Sequence, residues 1–141
     1  MNNCNADRCK QLIADAKSRF LKEIRRDTGC CLLEPGSNTD TRRKINVDGK
    51  QNVYTYHIAF ASGSQTDREL LNRVDKDSAG DKAVECSHLC HRRECVERSH
   101  LVIESRADNR VSLAVALTLT HYTNLAHTGA LHMSRRKGHS I

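Results

Sequence analysis

The sequence is poor in aromatic residues. Its 141 residues include no tryptophan, and aromatic residues make up 4% of the chain. A core must therefore be built mostly from leucine, isoleucine, valine and alanine, and a chain of this size buries only roughly two-thirds of its unfolded surface. The composition allows one domain, with or without a terminal arm. It also favours a cross-link or a bound metal that adds to the stability of a small hydrophobic core.

Signals for secretion and for membrane insertion are also missing. Asp7, Arg8 and Lys10 lie within the first ten residues, and no apolar segment follows them. The stretch 111–134 holds no Asp, Glu, Lys or Arg. Its apolar part, residues 113–119, is far shorter than the ~20 apolar residues of a membrane span. We interpret the stretch as a buried helix followed by a polar tail, and we expect an intracellular chain with no membrane partner.

Seven cysteines exclude a fully paired set of intramolecular disulfides, because the number is odd. In a chain without a secretory signal, clustered cysteines are better explained as metal ligands. Cys90, Cys95 and His100 follow the spacing C-x4-C-x4-H, and thiolates and imidazole are zinc ligands. This spacing predicts a zinc site that needs a fourth ligand, for which the Cys30-Cys31 pair is the natural source. Buried or free thiols are the alternative.

The remaining cysteines carry weaker signals. Cys4 and Cys9 are spaced C-x4-C, which is compatible with metal binding but more often describes one exposed thiol and one on a helix face. Cys86 lies two residues before His88 on the same face of a strand. We expect Cys86 to be a packed thiol.

The excess of basic residues, 23 against 17 acidic ones, is concentrated in two segments. Residues 41–60 and residues 111–141 each carry a net charge of +3. Their basic residues are Arg42, Arg43, Lys44 and Lys50 in the first segment and Arg135, Arg136 and Lys137 in the second. Two basic patches predict a polyanion partner, with an ordinary solvated surface as the alternative. The C-terminal run fits a nuclear signal, a phosphate contact or a solvated tail, and we expect a nuclear location.

Hydrophobic periodicity and turn signals predict an α+β fold. In chain order they indicate a helix over 6–26, a strand over 30–34, β-like runs over 43–47 and 52–60, a helix over 66–74, strands over 84–89 and 101–103, and a helix from 105 to about 119 or beyond. Asp48-Gly49 predicts a hairpin turn between the two β-like runs, so that the hairpin carries the first basic patch.

The last elements of this order form a strand, a Cys/His loop, a strand and a helix. His88 lies on the first strand, and Asn109 lies in the first turn of the helix. A histidine on a strand is more often a packing or surface residue. In this unit, however, an imidazole can deprotonate water and an amide oxygen can hold Mg²⁺ on a phosphate. We therefore treat the two side chains as candidate catalytic residues.

Residues 87–109 resemble the His-Cys box homing endonucleases, members of the ββα-metal, HNH-like nuclease superfamily. The resemblance is carried by Ser87-His-Leu-Cys-His, Cys95, His100-Leu and Glu104-Ser-x-x-Asp-Asn109. Upstream, Cys31-Leu-Leu-Glu-Pro-Gly followed by a basic hairpin is similar more loosely. The resemblance covers about residues 30–110. It implies an α+β fold with a ββα-metal nuclease core, an antiparallel β-hairpin and a structural zinc.

The resemblance also implies a role for each candidate residue. His88 would be the general base that activates the hydrolytic water, and Asn109 would be the ligand of a catalytic Mg²⁺. The zinc would be held by Cys31, Cys90, Cys95 and His100, with Cys30 as the alternative to Cys31. Double-stranded DNA would contact the hairpin through Arg42, Arg43, Lys44, Lys50, Tyr54 and His57. The implied activity is metal-dependent hydrolysis of DNA phosphodiester bonds, by a homodimer in the relatives.

The sequence departs from this family pattern in three places. No cysteine follows Cys95, so a second zinc cluster of the usual form is absent. Relatives place an arginine on the second hairpin strand near the scissile phosphate, but the stretch 51–54 holds none. Its substitutes would be Arg43, Lys44, Lys50 or His57. The C-terminal arm that helps relatives dimerise is short here, which leaves the oligomeric state open.

Two functions follow from these observations. The presence of both His88 and Asn109 favours an active DNA endonuclease, whereas the missing hairpin arginine favours a catalytically inactive, zinc-stabilised DNA-binding module. In either case the sequence predicts an N-terminal helix over 1–28, a zinc-stapled nuclease-type domain over 29–120 and a polar, basic tail over 121–141.

Overall fold

The computed structural model describes residues 4–74 and 80–133, with side chains through Thr120. The helices within these residues are α1 (Ala6–Phe20), α2 (Thr55–Ala61), α3 (Gln65–Val74) and α4 (Arg106–Met133). The strands are β1 (Leu21–Ile24), β2 (Cys31–Leu33), β3 (Lys44–Val47), β4 (Lys50–Tyr54), β5 (Val84–His88) and β6 (Leu101–Ser105). Single 3-10 turns lie at Gly80–Lys82 and Arg98–His100. This mixture of elements confirms the predicted α+β class.

The strands pair two by two and antiparallel, as β1–β2, β3–β4 and β5–β6. The predicted Asp48-Gly49 turn joins β3 to β4, with φ angles of 45° and 83° at its two central residues. Positive φ at both positions suits the right-handed twist of a hairpin. Strands β5 and β6 pair from Val84–Ser105 to His88–Leu101, so they flank the Cys/His loop at its base.

The first helix is shorter than the periodicity predicts. It ends at Phe20, and Leu21–Ile24 is strand β1 instead of the last turn of a helix over 6–26. Strand β1 pairs with β2, where Leu21 lies opposite Leu33 and Ile24 opposite Cys31. Pairing with a strand that comes later in the chain outweighs the local helical pattern, which contains no information about that partner.

The predicted β-like run over 52–60 is half wrong. It is strand only to Tyr54, and Thr55–Ala61 is the helix α2. Nearly every residue of α2 is buried, including Tyr56, Ile58 and Phe60. A short apolar run that is buried on all sides shows neither the period of a strand nor that of an amphipathic helix, so periodicity does not distinguish the two.

The core lies between α1, α2 and the hairpins. The predicted apolar stripe of α1 is buried at Cys9, Leu12, Ile13 and Ala16. These residues belong to one cluster with residues of α2, β2 and β4, among them Ile58, which is fully buried. Aliphatic side chains and thiols dominate the cluster, as the low aromatic content predicts.

The chain divides into two compact units, residues 1–107 and residues 108–141. The second unit contains most of α4, and the expected burial of its apolar stretch is wrong for the described side chains. The large apolar residues of this stretch are 46% to 65% exposed, namely Val111, Leu113, Val115, Leu117 and Leu119. Within the described part of the chain, no helix is both long and apolar enough to cross a membrane. Arg135, Arg136 and Lys137 lie outside the described residues.

Candidate functional site

Four metal-ligating side chains converge between the start of β2 and the β5–β6 loop. The Sγ atoms of Cys30, Cys90 and Cys95 and a ring nitrogen of His100 all lie within 4.8 Å of one another. The Nδ1 atom of His100 is 3.5 Å from Sγ of Cys30 and 3.5 Å from Sγ of Cys95. A tetrahedral zinc with Zn–S bonds of about 2.3 Å and a Zn–N bond of about 2.0 Å sets sulfur and nitrogen about 3.5 Å apart. The donors and their spacing fit a structural zinc.

Backbone hydrogen bonds hold the donors in place. The N–H of Val96 donates to the carbonyl of Cys31 at 2.8 Å, which fixes the loop to β2. The N–H of Leu89 donates to the carbonyl of His100 at 2.8 Å and closes the base of the loop. Gly29 turns the chain into the site with a φ of 71°, where a Cβ atom would lie 3.8 Å from the His100 ring. The sequence therefore builds this site from two distant segments.

The fourth donor in the structure is Cys30, which corrects the preference for Cys31. Neighbouring residues of an extended segment point to opposite sides of the chain. Cys30 is buried with Leu32 and Cys95, whereas Cys31 belongs to the main core with the residues of α1. Burial raises the pKa of Cys31, as expected for a thiol that packs as a small apolar side chain.

The thiols of the cluster are suited to a cation. The hydrogen bond from the Cys90 thiol lowers the pKa of Cys95 to about 4, and the N–H of Glu97 adds to the effect. The same contact with Cys95 is the main cause that raises the pKa of Cys90. The thiolate is the form of cysteine that binds metals. The lowered pKa favours the thiolate at Cys95, and a bound dication would favour ionisation of the neighbouring thiols as well.

His88 lies beside this cluster at the end of β5. Its Nε2 atom is 3.1 Å from the carbonyl oxygen of Cys95. A carbonyl oxygen only accepts, so Nε2 carries the hydrogen and Nδ1 of the neutral ring has the lone pair. Burial lowers the pKa of His88, which favours the neutral ring. This side chain is therefore held ready to accept a proton at Nδ1.

A row of aromatic rings leads from His88 to the basic hairpin. The Tyr56 ring is 4.7 Å from the His88 ring, and the Tyr54 ring is 5.3 Å from that of Tyr56. The guanidinium of Arg42 lies 4.6 Å above the Tyr54 ring. Burial is the main cause that lowers the pKa of His88, and the charge of Arg42 lowers it further. Tyr56 was not a sequence candidate, because nothing in its apolar surroundings marked it.

Three of the predicted DNA-contact residues converge on Asp40, which the sequence analysis also missed. Arg42 donates to the two carboxylate oxygens at 2.8 and 3.2 Å, and the hydroxyl of Tyr54 donates at 3.2 Å. The Nζ atom of Lys44 is 3.5 Å from Oδ2 of Asp40. Hydrogen bonds from Arg42 are the main cause that holds the pKa of Asp40 well below its usual range. Asp40, Arg42 and Lys44 line an open cleft of about 250 Å³.

Arg43 also lines this cleft, but its guanidinium binds the backbone instead of Asp40. Its guanidinium donates to the backbone carbonyls of Glu34 and Pro35, at 3.1 and 2.8 Å. It also lies 4.2 Å from the centre of the Phe20 ring. These contacts connect the hairpin to the end of α1 and to the chain that leaves β2. The environment of Arg43 is thus that of a structural side chain.

The two other predicted DNA-contact residues, Lys50 and His57, line a second cleft of about 210 Å³ together with Tyr54. Lys50 begins β4 and is exposed. His57 is half-buried on α2, with its ring 4.4 Å from that of Tyr56 and 5.5 Å from that of Tyr54. The structure therefore brings both residues to one cleft beside Tyr54, with His57 at the row of aromatic rings and Lys50 on the exposed hairpin.

Asn109 lies in the first turn of α4, within the second compact unit. Its side chain is half-buried, and the same turn holds Asp108. Amide and carboxylate oxygens are hard donors that suit Mg²⁺, which keeps several of its waters and needs few protein ligands. The chemistry of the donor fits the predicted ion, and the role of Asn109 stays a prediction.

Comparison with known proteins supports the interpretation of the loop. A family model described as the zinc-binding loop region of homing endonuclease matches residues 4–120, which is more than half of the chain. No curated protein matches the chain at a significant level, and no solved structure does so. The matched region includes the four converging donors, His88, Asn109 and the hairpin.

Proposed function

The chain belongs to the family of the zinc-binding loop region of homing endonucleases, and on this premise we propose that it is a metal-dependent endonuclease that hydrolyses phosphodiester bonds of double-stranded DNA. The family indicates a nuclease-type function with DNA as substrate. The observation that carries the finer proposal is the hydrogen bond that sets the tautomer of His88 beside the four metal-ligating side chains.

His88 is the proposed general base. Its Nδ1 atom takes a proton from the water that attacks the phosphorus, and the P–O bond to the leaving oxygen breaks. The ring is then an imidazolium, and its Nε2–H still donates to the carbonyl of Cys95. The positive charge of the ring strengthens this hydrogen bond. The carbonyl of Cys95 positions the base, and because Cys95 is also one of the four residues that would hold zinc, a bound zinc would fix this carbonyl without taking part in the reaction.

Asn109 is the proposed ligand of the catalytic Mg²⁺, as the resemblance implies. The bound ion would stabilise negative charge on the phosphate and on the leaving oxygen. The contribution of Asn109 is to fix the ion through its amide oxygen, which is a hard donor. The remaining positions would be left to water and to the substrate.

Arg42 is the proposed substitute for the arginine that relatives carry on the second hairpin strand. Strand β4 contains no arginine. The guanidinium of Arg42 lies above Tyr54, and the row of Tyr54 and Tyr56 connects it to His88. Asp40 fixes the guanidinium from one side. A planar guanidinium so held is suited to a phosphate oxygen. Arg43 has two of its five N–H donors bound to the backbone carbonyls of Glu34 and Pro35, so we assign it to holding the hairpin in place.

The proposal includes several expectations that rest on the sequence. The sequence assigns the DNA-contact surface to Arg42, Arg43, Lys44, Lys50, Tyr54 and His57, and within this set the proposal gives Arg43 a structural role because of its contacts with Glu34 and Pro35. Two copies would cut the two strands, so we include a homodimer. The division into 1–28, 29–120 and 121–141 and a nuclear location signalled by residues 135–137 also belong to it.

The test is cleavage of supercoiled plasmid by the purified chain, with Mg²⁺ or with a chelator. We expect Mg²⁺-dependent nicking and linearisation. His88→Ala should lower the single-turnover rate by roughly 10² to 10⁴, the usual contribution of a general base. His91→Asn is the matched control, because His91 is exposed on the same loop and asparagine tolerates its φ of 55°.

Zinc content and melting temperature are measured on the same preparations. A His88→Ala protein that keeps its zinc, melts normally and cuts at the wild-type rate would remove His88 from the site. A loss of melting temperature with unchanged turnover per folded molecule would assign His88 to packing against Tyr56.

A zinc-stabilised DNA-binding module without catalysis is the second candidate. The absence of an arginine from β4 favours it, because the fold and the basic surface survive without a working active site. It predicts DNA binding that depends on salt and no cleavage by the wild-type chain at any Mg²⁺ concentration. The plasmid assay therefore separates the two functions directly.

A further inference from the structure

Cys4 and Cys9 form a thiol contact that the metal cluster does not use. The Sγ atom of Cys9 lies 2.7 Å from Sγ of Cys4. A disulfide bond is about 2.05 Å long, so a small movement separates this contact from a bond. Among the side chains that the structure describes, those of residues 4–74 and 80–120, no third metal-ligating group joins the two thiols. Two sulfurs in contact, with no further donor for a metal, fit a redox pair.

The contact follows from the way in which α1 begins. Asn5 is the N-cap, and its side-chain oxygen accepts a hydrogen bond from the N–H of Arg8 at 2.8 Å. Cys4 is therefore the residue before the cap, and Cys9 is the fourth residue of the helix. Side chains at these two positions meet in the hydrophobic staple that often opens a helix. Here both residues are cysteines, so the geometry of the hydrophobic staple brings their two sulfur atoms into contact.

We propose that Cys4 and Cys9 are a reversible redox modification site that forms a disulfide by exchange with a low-molecular-weight disulfide. In the first step the Cys4 thiolate attacks one sulfur of the small disulfide and releases one small thiol. In the second step the Cys9 thiolate attacks Sγ of Cys4 and releases the other. Each protein thiol loses its proton, two protein thiols are oxidised, and one small disulfide is reduced to two thiols.

The order of the two steps follows from burial. Cys4 is partly exposed, whereas Cys9 is fully buried. Burial also raises the pKa of Cys9 to about 12, so Cys9 is a poor first nucleophile. It acts only in the second step, where the sulfur that it attacks is already its neighbour.

The bond would close a loop of six residues over the first turn of α1. Cys9 shares the buried face of this helix with Leu12, Ile13 and Ala16. The disulfide therefore anchors the chain before the helix to an element that is part of the core. We expect the melting temperature to rise by roughly 4 to 8 °C on oxidation.

The experiment is a titration of the full chain, purified with Zn²⁺, with mixtures of reduced and oxidised glutathione. Trypsin cleaves after Arg8, between the two cysteines, so their disulfide appears as two linked peptides in mass spectrometry. Zinc release and melting temperature are followed in the same samples. Cys4→Ser abolishes the linked peptide and the melting shift, and Cys86→Ser, at a buried thiol outside the pair and the metal cluster, is the matched control.

The linked peptide should form before zinc is released and should disappear on reduction, with a matching change in melting temperature. Persistence of a mixed disulfide at Cys4, without the linked peptide, would overturn the proposal. Oxidation of Cys90 or Cys95 with loss of zinc before the Cys4–Cys9 bond forms would also overturn it. None of these measurements involves DNA cleavage, so the result is independent of the proposed function.

Discussion

The Cys/His loop and the β3–β4 hairpin both gather ionisable side chains, but they do so in opposite ways. At the loop, its three donors and Cys30 lie within 4.8 Å of one another, and two of the four are buried. At the hairpin, Arg42 and Lys44 surround one carboxylate and stay 30% and 38% exposed. A missing donor would leave buried thiols without their cation, whereas a missing hairpin cation leaves a hydrated surface. Folding should therefore depend on the loop and DNA binding on the hairpin.

The largest effect should come from loss of the metal. Structural zinc contributes roughly 10 to 16 kcal/mol in small zinc domains, which is as large as the whole stability of a typical domain. We therefore expect Cys30→Ser, or a strong chelator, to release zinc and unfold the first unit. Elemental analysis and circular dichroism on the same samples measure the two changes.

Cys31→Ser is the control for this experiment. Its thiol packs in the main core, so the variant should keep its zinc and lose about 1 to 3 kcal/mol of stability through a buried hydroxyl. The comparison fails if Cys31→Ser releases the metal and Cys30→Ser retains it. A chain that stays fully folded after metal-free purification would contradict the structural role of zinc altogether.

The second effect concerns catalysis without folding. Asn109→Ala should lower the cleavage rate by roughly 10²-fold or more. The variant lacks the amide oxygen that would fix the catalytic ion, and this ion would stabilise the negative charge of the transition state. Zinc content and DNA affinity in Ca²⁺ should stay unchanged, because Asn109 is not among the four converging donors. Asp108→Asn, at the preceding residue, is the matched variant. Unchanged cleavage in Asn109→Ala together with loss in Asp108→Asn would move the metal ligand to Asp108.

The part of the fold that the sequence predicts is the part encoded locally. The Asp48-Gly49 turn can be recognised from these two residues, and the buried stripe of α1 from the spacing of its apolar residues. Strand β1 was missed because the spacing of its own residues contains no information about its pairing with β2. Helix α2 was missed because a helix that is buried on all sides shows no periodic pattern of apolar and polar residues. The exposed apolar residues of α4 contradict the rule that apolar runs are buried.

The candidate site shows the same limit. Cys90, Cys95 and His100 are close in sequence, and their spacing alone predicts that they meet. The choice between Cys30 and Cys31 depends on which side of an extended segment faces the loop, and that depends on tertiary packing. Tyr56 lies outside every motif, and only the folded chain brings it to His88. Asp40 lies two residues before Arg42 and four before Lys44, so its place among the basic residues is a signal that the sequence does contain.

A third prediction separates the arginines of the hairpin. The double variant Arg42→Ala, Lys44→Ala should bind DNA with a weaker dependence on salt. The slope of log affinity against log salt concentration should become smaller by about 2 if each residue neutralises one phosphate. Stability should change little, because both side chains are partly solvated. Arg43→Ala should leave the slope unchanged and cost about 1 to 2 kcal/mol, since its donors stabilise the fold. Affinity measured from 50 to 200 mM salt, with urea unfolding, tests both halves.

Equal slopes for the double variant and the wild type would exclude Arg42 and Lys44 from the DNA surface. A flatter slope in Arg43→Ala would mean that Arg43 leaves the carbonyls of Glu34 and Pro35 when DNA binds. Either result would remove the distinction between binding and structural arginines that the geometry makes.

The smallest effect should come from Asp40, the carboxylate around which the hairpin cations gather. Asp40→Asn removes one negative charge beside Arg42 and Lys44, so DNA should bind more tightly at low salt and with a slightly steeper slope.

The pKa of Asp40 in the folded chain lies well below its usual range, chiefly because Arg42 donates to it. A lowered carboxyl pKa contributes stability that is present above about pH 4, the unfolded value, and is lost as the pH falls through the folded one. The wild-type chain should therefore lose this contribution in acid, whereas Asp40→Asn should lack it throughout and show a weaker fall in stability below about pH 4. If urea unfolding gives the two proteins the same dependence on acid, the ion pair does not hold the hairpin cations, and their position must come from stacking on Tyr54 alone.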